Sequence, residues 1–237
     1  MQVVEISVKS DYLPKWGFWE GVREIIQNAI DAGIKKVSYN PKTRILTVED
    51  KGPGFDNEAL LIGYTTKADD NKTIGQFGEG LKFGSLALVR SGYSVFISNR
   101  GKVFIPIITK SKFFNSNVLA YQVEKDGQGP KGTKVEIKNV TAKQWQMIKN
   151  KILLLNKNYD PLKKILTEHK YKGKIYCKGI FVHEIKHSLW GYNLSGLEIN
   201  RDRNIINDYS LKREIGRAIA KSEDMDILTS FIRILQN

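Results

Sequence analysis

Three short stretches of glycine, carboxylate and amide residues follow one another within about sixty residues, and they constrain this chain more than any other feature. The first covers residues 23–33 (REIIQNAIDAG), the second 49–55 (EDKGPGF) and the third 74–82 (IGQFGEGLK). A nucleotide with its metal ion needs carboxylate and amide oxygens close to backbone N–H groups that no side chain obstructs. The ordered set therefore indicates a nucleotide site assembled from three separate segments.

The first stretch has the spacing of an amphipathic helix. Its apolar residues form one stripe at helical intervals, namely Val22, Ile25, Ile26, Ala29 and Ile30. Its polar residues share another face, namely Glu20, Glu24, Asn28 and Asp31. The amide oxygen of Asn28 suits Mg²⁺, and Glu24, one turn earlier, could take a proton from a water beside the metal. The alternative interpretation is an ordinary surface helix with a polar face.

The second stretch follows a predicted strand. Residues 44–48 are apolar and β-branched, so Asp50 lies where this strand ends. Its carboxylate can accept a hydrogen bond from an exocyclic amine, while Gly52 and Gly54 leave room for a flat ring. A plain Asp-x-Gly turn is the alternative interpretation.

The third stretch is a glycine-rich loop that leads into a helix predicted at 81–89. Gly75, Gly78 and Gly80 expose backbone amides near the positive end of that helix, and Lys82 adds a charge in its first turn. The loop lacks the Walker A pattern and does not follow a strand, so neither a P-loop nor a dinucleotide-binding unit is predicted. The polar segment 65–73 before it is typical of a lid that responds to nucleotide.

Together these motifs resemble the GHKL superfamily of ATPases, which includes gyrase B, the ninety-kilodalton heat-shock chaperones, the MutL proteins, histidine kinases and MORC proteins. The resemblance covers about residues 18–137 and implies that ATP and Mg²⁺ bind. It implies that Glu24 is the catalytic base, that Asn28 holds Mg²⁺ and that Asp50 bonds the adenine amine. The residues that it assigns to the ATP site are Asn28, Asp31, Asp50, Gly52, Gly54, Lys67, Gly75, Gln76, Phe77, Gly78, Glu79, Gly80, Leu81, Lys82 and Thr133.

The resemblance also implies a fold and a mode of action. Residues 65–67 and 74–78 are similar to the lid of the heat-shock chaperones and MORC proteins, and 80–85 is more similar to MORC than to gyrase. In this family ATP binding closes the lid and drives dimerisation, which implies slow hydrolysis that acts as a conformational or homodimerisation switch. The implied fold is α/β, a two-layer sandwich in which a mixed, mostly antiparallel sheet is covered by helices on one face (the Bergerat fold). The strand-like runs 93–98, 103–109, 118–123 and 133–138 are predicted to supply most of that sheet.

The second half of the chain has a different character, and the predicted domains are 1–140, which binds ATP, and 141–237, a smaller basic α+β region. This region contains a predicted helix at 141–156, strands at 174–182 and 189–199, and helices at 211–220 and 225–235. Between them, Arg201 and Arg203 are similar in position to the arginine-bearing loop of the chaperones' middle domain. That similarity implies contact with the γ-phosphate, and a local salt-bridge cluster is the alternative.

The excess of lysine and arginine over aspartate and glutamate indicates that the chain could bind a polyanion. The formal net charge is +13, and many of the lysines lie in the segment 143–178. Tyr159, Tyr171 and Tyr176 alternate with these lysines and would suit stacking on bases, so DNA or another polyanion is a candidate partner. A lysine-rich solubilising surface is the alternative interpretation.

Other features bound the cellular setting. The single cysteine excludes an internal disulfide framework and fits a reducing compartment. No apolar run reaches about eighteen residues, so no membrane span is predicted. The expected location is cytoplasmic, or nuclear in a host that has a nucleus.

One further motif suggests a different chemistry. His183-Glu184-Ile185-Lys186-His187 matches the His-Glu-x-x-His pattern of zinc proteases, which needs both histidines one turn apart on a helix. The apolar run 180–182 before it indicates a strand instead, which favours a chance match. Three function classes thus remain open, namely an ATP-gated machine acting on DNA, a chaperone-like ATPase acting on protein clients, and a zinc peptidase.

Overall fold

The structure of the chain, a computed structural model, describes residues 2–56, 60, 79–125, 127, 129–200, 205 and 207–235. It divides the chain into two units, residues 1–146 and 147–237. The domain boundary predicted from the sequence lies a little earlier, at 140/141.

A seven-stranded antiparallel sheet forms the body of the first unit. Its strands are β1 (Gln2–Lys9), β2 (Ile34–Asn40), β3 (Ile45–Asp50), β4 (Val95–Asn99), β5 (Lys102–Lys110), β6 (Asn117–Lys125) and β7 (Thr133–Ile137). They lie in the order β1-β6-β5-β4-β7-β3-β2, and each described pairing is antiparallel. Apolar residues alternate along the central strands and are almost fully buried, as with Leu46, Val48, Ile97 and Ile137. One face of the sheet therefore carries the core.

Two helices pack on this sheet, as the α/β class predicted from the sequence requires. They are α1 (Phe18–Asp31), which contacts β2 and β3, and α2 (Gly80–Arg90), which contacts β4 and β5. Their backbones approach closely because both carry a glycine at the crossing. A Cβ on Gly21 would lie 2.9 Å from the carbonyl oxygen of Gly84, and a Cβ on Gly84 would lie 3.0 Å from that of Gly21. This contact fixes the first turn of α2 beside the middle of α1.

The last residue of α2 holds the segment that leads into α1. The Arg90 guanidinium donates hydrogen bonds to four carbonyl oxygens at 2.7–3.2 Å, those of Ser10, Tyr12, Leu13 and Trp16. A planar fork with five N–H donors suits such a set of acceptors. The start of α1 is thereby tied to the end of α2.

The helix predicted at 141–156 is shorter than expected. Helix α3 runs over Ala142–Lys151 and contains the division between the units, and a 3₁₀ turn follows at Leu153–Leu155. Ile152 forms an isolated bridge with Ile180, and the Leu153 N–H donates to the Gly179 carbonyl at 2.8 Å. These contacts with a distant segment replace the bonds that would have continued the helix.

A small four-stranded sheet organises the second unit. Its strands are β8 (Ile165–Leu166), β9 (Lys174–Cys177), β10 (Ile180–Glu184) and β11 (Gly191–Asn193), in the order β10-β9-β11-β8. The strand predicted at 174–182 is a hairpin, because Lys178 and Gly179 turn the chain at φ values of +49° and +80°. The strand predicted at 189–199 is only the three residues of β11, and β11 pairs with β9 in parallel.

Two helices complete this unit, α4 (Asp208–Ala220) and α5 (Met225–Leu235). Their apolar residues Leu211, Ala218 and Ile227 belong to the same buried cluster as Ile175 on β9. None of the helices in the described part of the chain is long and apolar enough to cross a membrane.

The tyrosines expected to stack on bases are mostly in the core, so that expectation is wrong for two of the three. Tyr176 is fully buried and Tyr171 is 7 % exposed, and their rings pack edge to face at 6.1 Å. Tyr159 is half-buried and shares a hydrogen bond with Asn193. Lys170 and Lys172, which flank Tyr171, are exposed, so in this segment the lysines lie at the surface while the tyrosines pack inside.

Candidate functional site

Helix α1 carries Glu24 and Asn28 one turn apart, so both side chains lie on the same face. Glu24 is buried, and its Oε1 accepts a hydrogen bond from Arg23 Nε at 3.1 Å and lies 3.0 Å from Arg23 Nη2. The Arg23 guanidinium in turn lies over the Trp16 ring, 5.3 Å from its centroid. A buried ion pair thus fixes one oxygen of the carboxylate.

The other oxygen of Glu24 faces the start of α2. A Cβ on Gly80 would lie 2.8 Å from Glu24 Oε2, so a side chain there would displace the carboxylate, and 3.4 Å from Asn28 Nδ2, which is van der Waals contact. Glycine at position 80 therefore lets a carboxylate, an amide and the N-terminus of a helix meet. The structure brings the first and third predicted segments together at this point.

Asp50 ends β3 and is held through one of its two carboxylate oxygens. Oδ1 accepts hydrogen bonds from the Gly52 N–H at 2.9 Å and the Thr133 N–H at 3.1 Å. Gly132, at a φ of +90°, packs so closely that a Cβ there would lie 2.8 Å from Oδ1. Asp50 is 7 % exposed, and within the described ranges its Oδ2 accepts no hydrogen bond, so this oxygen is left as an acceptor for a ligand. Thr133 makes its contact through the backbone amide.

Two residues that the sequence did not identify hold the loop after Asp50. Asn99, at the end of β4, is 2 % exposed and bonds the Phe55 backbone twice, accepting from N–H at 2.9 Å and donating to the carbonyl at 2.7 Å. Arg100 Nε donates to the Pro53 carbonyl at 2.8 Å, and its guanidinium pairs with Asp56. Asn-Arg-Gly between two predicted strands signals a hairpin turn, but nothing local indicates its distant partner.

The end of α1 lies beside the same loop. The Lys51 N–H donates to the Gly33 carbonyl at 2.8 Å, and Ile34 pairs with Asp50 across β2 and β3. Asp31 is the last residue of α1 and is half-buried. The first and second predicted segments are thus joined at the C-terminal end of α1.

Lys82 lies in the first turn of α2, as predicted, but its side chain is fully buried. Burial lowers the pKa of its ammonium group to about 8, because desolvation penalises the charged form. Leu81, its neighbour, is half-buried. The positive charge predicted at the loop is therefore a buried one that titrates near neutral pH.

Several predicted site residues lie outside the described residues. They are Lys67, Gly75, Gln76, Phe77 and Gly78 of the predicted lid and loop, and Arg201 and Arg203 of the predicted arginine cluster. Glu79 is described and directly precedes α2.

The zinc-protease arrangement is not formed. His183 and Glu184 lie on strand β10, and His187 lies in a turn at a φ of +65°, so the two histidines are not one turn apart on a helix. The part of the chain that the structure describes contains no group of three His, Cys, Asp or Glu residues able to hold a metal ion. The backbone follows the strand that residues 180–182 predicted.

Comparisons with known proteins relate the chain to a described family. A model of the family described as histidine kinase-, DNA gyrase B- and HSP90-like ATPase matches residues 16–144, which include Glu24, Asn28, Asp50, Gly80 and Thr133.

The chain is also similar to an uncharacterized protein of Mycoplasma pneumoniae (strain ATCC 29342 / M129 / Subtype 1). The two are 24 % identical over 233 residues, which span 94 % of this chain and 88 % of that protein. Among solved structures, it matches one titled as the N terminal domain of a DNA repair protein, with 15 % identity and a TM-score of 0.30. That match covers 54 % of this chain and 38 % of the other.

Proposed function

The chain belongs to the family of histidine kinase-, DNA gyrase B- and HSP90-like ATPases, and from this premise we propose that it binds Mg²⁺·ATP and hydrolyses it slowly at the site formed by α1, α2 and the Asp50 loop. Membership of this family supports ATP binding and hydrolysis in general. The proposal adds the roles of individual residues, the metal and the use of the reaction.

Asp50 is proposed to recognise the adenine. Its Oδ1 is occupied by two backbone amides, and Oδ2 is the acceptor that an exocyclic amine would use. Asn99 supports this role, since it fixes the backbone at Phe55 and with it the turn through Gly52 and Gly54. A rigid acceptor discriminates against a ring that lacks the amine, because Oδ2 would then be covered by the ring without a hydrogen-bond donor.

The phosphates are proposed to lie at the N-terminus of α2, whose backbone amides and helix dipole favour anions. Asn28, with an amide oxygen beside Gly80, would hold Mg²⁺. When bound there, Mg²⁺ would neutralise charge on the phosphate oxygens.

Glu24 is proposed as the general base. Its carboxylate accepts a proton from a water molecule, the water oxygen bonds to the γ-phosphorus, and the bond from that phosphorus to the bridging oxygen breaks. ADP and inorganic phosphate leave, and the proton on Glu24 passes to solvent. Arg23 keeps the carboxylate oriented through Oε1. The single observation that carries the proposal is that Glu24, Asn28 and the start of α2 meet around Gly80.

Three variants test these roles, with binding and turnover of ATP measured on each. We expect Asp50→Asn to abolish binding, and Glu24→Ala to bind ATP but to turn it over at least about 100-fold more slowly. Glu49→Gln, next to Asp50, breaks the ion pair of the half-buried Glu49 with the exposed Lys35 and serves as the matched control. If the natural chain bound no adenine nucleotide, or if Glu24→Ala hydrolysed ATP normally, the proposed roles would be wrong.

ATP is further proposed to act as a switch that drives dimerisation, as in related ATPases. Light scattering with a non-hydrolysable ATP analogue measures this directly, and we expect the mass to double. A monomer in the presence of saturating analogue contradicts the switch without affecting the ATPase assignment.

The process served is proposed to be DNA-associated. The supporting observation is charge, because ten lysines and only three carboxylates lie in residues 147–186. We expect DNA binding whose logarithmic affinity falls steeply with the logarithm of salt concentration, measured by fluorescence anisotropy. Binding that is absent or insensitive to salt would contradict it. The chaperone-like alternative rests on the lid and on Arg201 and Arg203, which lie outside the described residues, so no described observation favours it.

A further inference from the structure

The second unit contains a concave cavity of about 300 Å³ that the ATPase reaction does not use. Its walls come from the residue before β8, the segment after β11 and the C-terminal half of α4. We propose that this cavity is a second anion site, which binds a phosphate group carried by its ligand. The proposal is independent of ATP hydrolysis, since every residue in it lies in 147–237.

Three cations line the cavity from two separate segments. Lys164 lies directly before β8, while Arg217 and Lys221 lie one turn apart at the end of α4. Neither Lys164 nor Lys221 forms an ion pair with any residue that the structure describes. Two lysines of like charge that face one cavity repel each other, and an anion between them relieves that repulsion.

Among the described residues that line the cavity, the one carboxylate is already paired. Glu214 Oε1 lies 2.8 Å from Arg217 Nη1 and 3.9 Å from Arg213 Nε, and its side chain is only 17 % exposed. A Cβ on Gly196 would lie 2.9 Å from Glu214 Oε2, so the chain packs directly against this carboxylate. Glu214 therefore orients Arg217 and leaves the two lysines uncompensated.

The wall opposite α4 is held by backbone hydrogen bonds. The Asn193 N–H donates to the Lys164 carbonyl and the Leu194 N–H donates to the Tyr176 carbonyl, both at 2.8 Å. Leu194 and Ala218 form a buried apolar floor, and the exposed Ser195 adds a hydroxyl at the rim. Because this wall is already fixed, the binding of a ligand costs little conformational entropy here.

Phosphate is the ligand chemistry that fits best. The lysine ammonium groups act as point charges, and the arginine guanidinium presents several N–H donors in one plane. A phosphate group offers up to two negative charges and several acceptor oxygens, which pair with both kinds of cation. A cavity of this volume lies at the lower end of the range for small-molecule sites, which suits one phosphate and its immediate substituent. Such a group occurs in a nucleic-acid backbone and in phosphorylated small molecules.

The test is an NMR titration of the full ¹⁵N-labelled chain with inorganic phosphate. Because each amide gives its own signal, binding at the cavity is distinguished from binding at the ATP site. We expect the amides of Leu194, Ser195 and Ala218 to shift saturably. The double variant Lys164→Gln/Lys221→Gln should weaken this binding at least tenfold. The matched control Lys163→Gln/Lys212→Gln removes the same charge from exposed positions that do not line the cavity, and should bind like the natural chain.

Two outcomes would overturn the proposal. One is the absence of saturable shifts at these amides in the natural chain. The other is equal weakening in both double variants, which would mean that phosphate responds to overall charge and not to the cavity.

A DNA oligonucleotide then distinguishes the two sources of phosphate. If the ligand is a nucleic-acid backbone, the cavity variant binds DNA more weakly than the control. Its slope of logarithmic affinity against logarithmic salt concentration is then shallower by about 0.7–0.9 for each lost contact. If the ligand is a phosphorylated small molecule, the cavity variant loses inorganic phosphate but binds DNA as the control does. Either result supports the cavity as a phosphate site.

Discussion

Asn99 illustrates how much of the candidate site depends on single buried side chains. It lies at the end of β4, yet its side-chain amide forms hydrogen bonds with the backbone N–H and carbonyl of Phe55, 44 residues away in sequence. Glu24 and Asp50 are similar, since each has one oxygen held by neighbours while the other is directed elsewhere. At this scale the motifs alone identified Glu24 and Asp50 as candidate site residues. The residues that hold them were not, because a hydrogen bond between distant segments leaves no local pattern.

Replacing Asn99 should therefore affect both stability and nucleotide binding. Asn99→Ala leaves the N–H and carbonyl of Phe55 without this partner, and we expect a loss of about 1–3 kcal/mol in the free energy of unfolding. ATP binding should weaken as well, since the turn after Asp50 is released. Urea denaturation and ATP titration measure the two effects, with the half-buried neighbour Ser98→Ala as control. Full stability and full affinity in Asn99→Ala would contradict this role.

Lys82 gives a prediction about pH. Its pKa is about 8 in the folded chain and near 10.5 when unfolded, so between these values the unfolded state binds more protons. Stability from this residue therefore rises as pH increases from about 8 to about 10.5, by at most about 3 kcal/mol, and is unchanged below that window. Lys82→Met should remove this rise.

The measurement is the free energy of unfolding at pH 7.5 and pH 10 for both proteins. Because other groups also titrate, the informative quantity is the difference between natural chain and variant. We expect that difference to change with pH for Lys82→Met but not for Lys110→Met, which alters an exposed lysine. Parallel pH profiles for the natural chain and Lys82→Met would refute the buried titration.

At the scale of elements, the sequence predicted most of the first unit. Helices α1 and α2 and strands β3 to β7 follow from helical and alternating spacing, because one buried face imposes that spacing. Strand β2 was not identified, since its exposed lysines interrupt the apolar pattern. The helix predicted at 141–156 ended early because Leu153 bonds to Gly179, a contact that spacing cannot reveal.

The crossing of α1 and α2 gives a prediction with a matched control. In Gly84→Ala the new Cβ would lie 3.0 Å from the Gly21 carbonyl and 3.2 Å from Glu24 Cβ, so the helices must separate. We expect a destabilisation of about 1–3 kcal/mol and slower ATP turnover, because Glu24 moves with α1. Gly216→Ala, inside α4, places a Cβ more than 4 Å from every described atom beyond its own stretch of helix, and should instead stabilise by about 0.5–1 kcal/mol.

Thermal denaturation of both variants tests this comparison. The two substitutions add the same methyl group to a helix interior, so helix propensity favours both equally. Opposite signs would show that the close approach of α1 and α2 decides the outcome at Gly84. Stabilisation by both would mean that the crossing relaxes easily.

At the scale of the whole molecule, the positive charge of the second unit is concentrated in one segment. The excess of positive over negative side chains in this unit comes from residues 147–186, which contain ten lysines and three carboxylates. Composition predicted a polyanion-binding region there but placed its tyrosines at the surface, and Tyr171 and Tyr176 instead build the core. The cavity beside Lys164 could not be predicted at all, because it joins segments about fifty residues apart.

The contact of Arg90 with the segment before α1 has a consequence for how this family's sequences can diverge. Arg90 bonds four carbonyl oxygens, and every amino acid supplies a carbonyl. Ser10 and Tyr12 can therefore be exchanged without loss of these bonds, while an insertion or deletion in the segment would misplace the acceptors. Two residues of the segment carry conformational restrictions of their own, Leu13 at a φ of +52° and Pro14, whose ring fixes φ. Homologues are expected to preserve the length of this segment while its composition drifts.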